Sequence, residues 1–457
     1  MCISMWILLA LFAMDVVAND NLRVAYQWKQ IDFEYPNIGE RQAAITNSTF
    51  ISENVVPVGL EVYKNRLFIT LPRWKKGVPA SLAYIDLNDN FTQSPALKPY
   101  PSWSAHRVTN DEVPEIISPF RVRADNCGRL WVLDTGVENI ANEANATVLS
   151  PTRLLIYDLH NDNLLRSYKF PDDHIKDSSF FVSIAVEDEN CDDSYAYSAD
   201  LGKPGLVIYS WKSQSSWRMT HNFFHPDPTA GNFSINNITF QWEDGLFGLA
   251  LSKPQPPDNH PTLYFHPFVS MDEFQVSTKF LKNETLATSN EIYKEFKRIG
   301  SRGPNGQSSV EFLDKKTGVL FYTLPNLNAI ACWKTSNKEY TLKSQGRIFM
   351  DPVLMEFPND VKVDDQSRLW VLSDRLQKFL YSELDSNEIN FRILTATVQD
   401  AISHTACDPK TKRLPDIINK LSDLIKTTAK PSTKSNAEKF YASGLIVLSS
   451  ILMRTVF

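Results

Sequence analysis

One short pattern recurs along this chain and limits what it can fold into. Arg129-Leu130-Trp131-Val132-Leu133-Asp134 returns as Arg368-Leu369-Trp370-Val371-Leu372-Ser373. Arg66-Leu67-Phe68-Ile69-Thr70-Leu71 and Val319-Leu320-Phe321-Tyr322-Thr323-Leu324 are further copies, and residues 195–200 and 263–266 are weaker ones. The aromatic anchors Phe68, Trp131, Tyr197, Tyr264, Phe321 and Trp370 stand between 49 and 67 positions apart. Before a copy lies an alternating run that ends in a turn, as in Phe120-Arg121-Val122-Arg123-Ala124-Asp125 and Val361-Lys362-Val363-Asp364. After it comes another short apolar run, such as Leu154-Leu155-Ile156-Tyr157-Asp158. Period-two alternation closed by Asp, Asn, Gly or Lys marks strands and hairpins. A fourth, more polar strand is expected in most units, for instance at residues 216–220 and 390–394.

Repeated units of about four strands each, six in all, predict an all-β chain folded as a six-bladed β-propeller with a central channel. A blade buries neither face alone, so the six form one domain. The aromatic anchors are then inter-blade core rather than a cofactor box. The alternating segment 24–33 is expected to close the ring by pairing with the last blade, which removes exposed edges.

Composition agrees. Of 457 residues, 43 % are hydrophobic and 12 % aromatic, which excludes a disordered chain and supplies an ample core. Twenty-six prolines against 16 glycines, without a period, exclude collagen and disfavour a helical bundle. Lys plus Arg number 47 against 53 Asp plus Glu, a net charge of −6 with no basic cluster, so nucleic acid is not an expected partner.

The ends read as processing segments. Residues 1–18 have the apolar stretch and small-residue cleavage pattern of a signal peptide, residues 19–408 hold the propeller, and 409–457 form an extension with an apolar tail. That tail is too short to span a bilayer, which needs about 20 apolar residues. Ser435, Asn436, Ala437, a spacer and the apolar end resemble a lipid-anchor signal; Arg454 argues against it, and a simple tail or packed helix competes.

Outside the signal there are four cysteines, an even set, together with sequons at Asn47, Asn90, Asn145, Asn232, Asn237 and Asn283. Secretion is the common explanation. Cys127 and Cys191 fall in equivalent turns of successive units, on one face of the ring, so a Cys127–Cys191 bridge is expected. Cys332–Cys407 would tie the C-terminal segment to the ring. Four cysteines allow three connectivities, so the pairing is an inference.

GxxxxGK[ST], GxSxG and HExxH are absent, and neither a cofactor nor a metal is expected. His221 and His225 have helical metal spacing but precede Pro226 between strands, where a surface-loop pair is the plainer reading. Asp192-Asp193 and Asp364-Asp365 read as turn caps. What remains is the mouth of the channel. Candidates at first-strand starts are Glu61, Arg121, Ser183, Asp244, Phe247, Asn359 and Asp360; Asp134, Asp200, Asn326, Asn328 and Asp374 follow second strands. Carboxylates, amides and a Phe around a funnel suit a small aromatic amine, the carboxylate taking the ammonium and the ring the aromatic. A monomer is expected.

Several segments make the chain recognisable. They are Asn65-Arg66-Leu67-Phe68 with Pro72-Arg73-Trp74, Cys127-Gly128-Arg129-Leu130-Trp131-Val132-Leu133-Asp134-Thr135-Gly136, and Asn190-Cys191-Asp192-Asp193. Later come Asp244-Gly245-Leu246-Phe247-Gly248-Leu249-Ala250-Leu251-Ser252, Leu263-Tyr264-Phe265-His266-Pro267, Asn328-Ala329-Ile330-Ala331-Cys332-Trp333, and Leu369-Trp370-Val371-Leu372-Ser373-Asp374-Arg375. In this order they resemble the yellow / major royal jelly protein family of insects, its yellow-type branch above all, from about Tyr26 to Asp408. The resemblance implies a secreted, glycosylated six-bladed propeller with a place in melanin pigmentation and cuticle maturation. Some relatives speed dopachrome conversion, some bind biogenic amines in the channel, and others are nutritive or signalling proteins. Were this chain a dopachrome-converting enzyme, Asp244 or Asp360 would be the general base. A non-catalytic structural or signalling protein is the third reading. Many members carry a further cysteine pair near positions held here by Glu112 and Ser150, so the loop from Tyr100 to Pro119 is less tethered.

Overall fold

The computed structural model describes residues 21–410, apart from 90–92, 108–112 and 142–145. The signal segment, the tail and the sequons at Asn90 and Asn145 therefore lie outside the described residues. The chain divides into two units, Met1–Asp408 and Pro409–Phe457, and the propeller belongs to the first.

Six four-stranded antiparallel sheets make up a six-bladed β-propeller. Their innermost strands, Gly59–Tyr63, Pro119–Ala124, Phe181–Glu187, Leu246–Leu251, Glu311–Asp314 and Phe357–Val363, neighbour one another in that order and close into a ring. Each is followed by the strand that carries the sequence repeat. The anchors Phe68, Trp131, Tyr197, Tyr264, Phe321 and Trp370 are all buried between blades.

The hairpins show why the repeat reads as it does. The Asp125 carboxylate accepts from the backbone N–H of Cys127 and Arg129, from the Arg129 side chain, and from the Trp131 indole at 2.8 Å. Asp364 does the same for Gln366, Arg368 and the Trp370 indole. One carboxylate thus closes the turn and orients the core tryptophan. Gly128 completes the first of these turns at φ +77, and a Cβ there would meet the His160 ring at 2.4 Å. A second set of aspartates, at the ends of the repeat strands, staples the loops that lead into the innermost strands. Asp134 accepts from Ile117 and Ser118 N–H and Asp200 from Phe180 N–H, whereas Asp374 accepts from the Asn359 side chain of the innermost strand and from Leu376 N–H at the start of the helix that follows.

The N-terminal strand Arg23–Trp28 pairs with Phe391–Thr397 and supplies the outer strand of the last blade, so the two ends of the ring are fastened together. This corrects one expectation. The segment 390–394 belongs to the third strand of its blade, because the helix Leu376–Tyr381 fills the connection before it and the fourth strand comes from the N-terminus.

The disulfides are Cys127–Cys191 and Cys332–Cys407. The second joins residues 75 positions apart and holds the end of the propeller against the third strand of blade five. Closing a loop of that length restricts the unfolded chain by about 4 kcal/mol. The double replacement Cys332→Ala/Cys407→Ala is expected to lose about 2–5 kcal/mol in denaturant unfolding, with the propeller otherwise intact.

Candidate functional site

The innermost strands bring two different spaces onto the propeller axis. Deep in the ring, Arg121, Ser183, Leu249, Glu311 and Lys362 line a bore of about 40 Å³. At roughly 10–15 Å³ for each water, it holds a few waters and excludes an aromatic ring. At one mouth it is succeeded by a chamber of about 370 Å³, within the range of small-molecule sites. Phe120, Val182, Phe247, Ser309, Phe357 and Asn359 line it from the starts of five blades, a few positions or fewer from the residues that line the bore. Trp74, Phe180, Trp242 and Phe268 enclose it from the adjoining loops, and Leu376 and Leu380 close it from the helix Leu376–Tyr381. A larger groove of about 870 Å³ lies elsewhere, lined by Arg23, Lys64, Asp364, Asp365 and Arg368, a mixed polar surface with few apolar walls.

The aromatic wall is held by ring contacts. Phe247 meets Phe120 edge-on at 5.8 Å and Phe268 at 5.3 Å, and Trp242 lies 5.2 Å from Phe268. Behind Phe120 the Arg121 guanidinium lies 4.6 Å from the ring centroid, between chamber and bore. At the rim the Trp242 indole N–H donates to the hydroxyl of half-exposed Tyr381, which stacks on Phe240 at 4.8 Å.

One acid opens into this apolar space. Asp244 lines the chamber, and among the described residues its carboxylate has neither a hydrogen bond nor an ion pair; only its backbone carbonyl is engaged, by Val269 N–H at 3.1 Å. Burial, and secondarily the charge of Glu243, push this carboxyl up to about 7. The other polar wall groups are occupied. Asn359 accepts from Arg121 at 2.9 Å and donates to Asp374 at 2.7 Å, while the Ser309 hydroxyl bonds Thr323 at 2.7 Å.

The remaining sequence candidates sit elsewhere. Arg121 and Ser183 line the bore rather than the chamber. Glu61 is buried in an ion pair with Arg123 at 2.9 Å. Asp360 is fully buried between Arg121 at 3.3 Å and Lys362 at 2.5 Å, which leaves Asp244 as the carboxylate able to meet a ligand. Asn326 pins the hairpin formed by Asn232–Ile235 and Ile238–Gln241 through Ser234 N–H at 2.9 Å, and lines neither space. Asp134 and Asp200 are the loop staples described above, Asp374 binds Asn359 and Leu376 N–H, and Asn328 donates to the Glu356 carbonyl at 2.6 Å. The histidine pair separates: His221 is buried and stacks on Phe296 at 4.1 Å, while His225 is exposed, so the surface-loop reading holds for His225 alone. Asn47, Asn232, Asn237 and Asn283 are exposed, two of them on the pinned hairpin. Apart from Phe247, sequence reasoning missed the aromatic wall. Its signal is an aromatic residue within four positions of the start of an innermost strand in blade after blade: Phe120, Phe180, Trp242, Phe357.

The family model described as "Major royal jelly protein" matches residues 117–407. The chain is also 40 % identical over 408 residues to Protein yellow of Drosophila erecta and of Drosophila melanogaster, covering 88 % of this chain and 74 % of each relative. The chain belongs to the major royal jelly protein family. Protein yellow of Drosophila pseudoobscura pseudoobscura, 41 % identical over 390 residues, covers 85 % of this family member and 68 % of its own length. A solved luciferin-regenerating enzyme is similar at 12 % identity and TM-score 0.42, over 76 % of this chain and 92 % of that one, too distantly to inform the site.

Proposed function

We propose that this family member is an extracellular protein of melanin pigmentation or cuticle maturation that binds a catecholamine or related biogenic amine in the chamber at the channel mouth. The observation that carries the reading is the unpartnered Asp244 carboxylate in an aromatic enclosure. An ammonium group would supply the partner that the carboxylate lacks, in surroundings where a charge-assisted hydrogen bond is strong. The ring of the ligand would lie against Trp242 and Phe247, whose faces also attract the cation. No helix among the described residues is long and apolar enough to cross a membrane, and attachment through a lipid anchor would depend on the tail beyond them.

A second reading is favoured by the same residue. A carboxyl held near 7 is matched to general-base work at physiological pH. In a dopachrome-converting enzyme Asp244 would take the proton from the carbon bearing the substrate carboxyl group. A proton returned to the ring system completes an isomerisation without net gain or loss of atoms.

Calorimetry of the mature protein with dopamine and serotonin, with dopachrome absorbance followed in parallel, separates the readings. Saturable one-site binding without absorbance loss is the expected result. Accelerated dopachrome loss that disappears in Asp244→Asn would establish the enzyme, and silence in both assays would leave a structural or signalling role.

A further inference from the structure

Away from the chamber, a second group of buried polar side chains lacks the partners its chemistry needs. His266 comes from the second strand of blade four, Glu273 from the third, and Glu311 from the start of the innermost strand of blade five. His266 and Glu273 are 0 % exposed and Glu311 2 %. The His266 Nδ1 atom lies 3.1 Å from Glu273 Oε2 and 3.5 Å from Glu311 Oε2. One donor atom from each of the three residues falls within 4.8 Å of the others. Arg302 donates to the same Glu273 Oε2 at 2.6 Å, its other nitrogens fixed by the Gly306 and Ser270 carbonyls.

We propose that His266, Glu273 and Glu311 form a site for a divalent transition-metal ion, zinc or manganese in class, bridging blades four and five. Both Glu311 oxygens, Glu273 Oε1 and His266 Nε2 have no hydrogen-bond partner, although all are buried. A buried carboxylate without a compensating donor or cation is strongly unfavourable; Arg302 compensates Glu273, so it is Glu311 that calls for positive charge beside it. A proton on the imidazole answers only part of this. It satisfies Glu273 through Nδ1 and leaves Glu311 without a bond of good geometry.

A metal ion answers the rest. Metal–nitrogen and metal–oxygen bonds of about 2.0–2.1 Å put tetrahedral ligand atoms about 3.3–3.5 Å apart, which the two Nδ1–oxygen separations bracket. Mixed imidazole and carboxylate donors select zinc or manganese over calcium, which prefers oxygen alone. Arg302 then acts as the outer partner that orients a ligating carboxylate. Glu311 is also one of the residues along the axial bore. The imidazole fits because residue 248 is glycine: a Cβ there would stand 2.3 Å from the His266 ring.

The test uses the full secreted protein, loaded with Zn²⁺, desalted, and assayed for metal content and by X-ray absorption at the zinc edge. The expected result is one zinc per chain, coordinated by a single imidazole and carboxylate oxygens. Glu311→Gln is expected to retain less than a tenth of that zinc, while His225→Ala, on an exposed histidine, retains all of it. Should Glu311→Gln fail to fold, the absorption spectrum of the wild-type protein decides alone. A wild-type protein that keeps no zinc, a spectrum with several imidazoles or sulfur ligands, or a folded Glu311→Gln that keeps a full equivalent would each overturn the site.

Discussion

Asp360→Asn is expected to destabilise the propeller by about 3–5 kcal/mol in denaturant unfolding. The residue is fully buried and serves four partners at once: Lys362 at 2.5 Å, Arg121 at 3.3 Å, the Val361 N–H at 2.8 Å, and the Leu60 N–H of the neighbouring innermost strand at 2.9 Å. The asparagine keeps the shape and removes the anion, so two cations are left beside the axis without it. Burial already holds both Lys362 and Arg121 below their ordinary values. In the variant Lys362 falls further, so the unfolded chain binds more protons than the folded one over a wider range. Stability of the variant therefore rises with pH, and the loss shrinks as pH approaches the lysine's ordinary range. An equal loss at pH 6 and pH 10 would mean that the carboxylate acts through packing rather than charge.

Asp244→Asn is expected to give a different combination, a more stable protein that binds more weakly. Because burial raises the Asp244 carboxyl to about 7, its ionisation opposes folding. The contribution of the protonated form is complete below the ordinary carboxylate range and is lost as pH rises through about 7. Asparagine removes that loss, so the variant should unfold at a higher temperature than wild type at pH 8 and at a similar one at pH 4. Dopamine binding should weaken about 10- to 100-fold, the equivalent of one charge-assisted hydrogen bond of about 1.5–3 kcal/mol. In wild type the affinity should fall as pH drops below about 7, since only the carboxylate attracts the ammonium; in the variant it should be flat. Stability set aside for a function is a familiar exchange at binding sites. Calorimetry and thermal unfolding at three pH values check all of these expectations together.

How much was legible follows from the distance over which each feature is encoded. The blades were readable because a hairpin declares itself locally, through alternation, a closing Asp such as Asp125 or Asp364, and an aromatic anchor six positions later. Closure by the N-terminal strand was readable for the same reason. The sharing of the last blade was not, since the segment 390–394 looks like any outer strand until the helix Leu376–Tyr381 is seen to precede it. At the mouth, Asp244, Phe247 and Asn359 could be named from their places at strand starts. Glu61 and Asp360 occupy equivalent places, but each meets an arginine of another blade's innermost strand, Arg123 and Arg121, and Asp360 also meets Lys362 two positions along its own strand. Trp74, Phe180, Trp242, Phe268 and Phe357 are scattered over 284 positions of sequence and converge only because the ring closes. The trio His266, Glu273 and Glu311 was hidden likewise, across a blade boundary.

The measurement that tests the central claim most directly is a crystal structure of the mature protein soaked with dopamine. The account predicts one molecule in the chamber, its ammonium within hydrogen-bond reach of the Asp244 carboxylate and its ring against Trp242 or Phe247. Dopamine bound elsewhere, or a chamber without density at a concentration that saturates binding in solution, would contradict it.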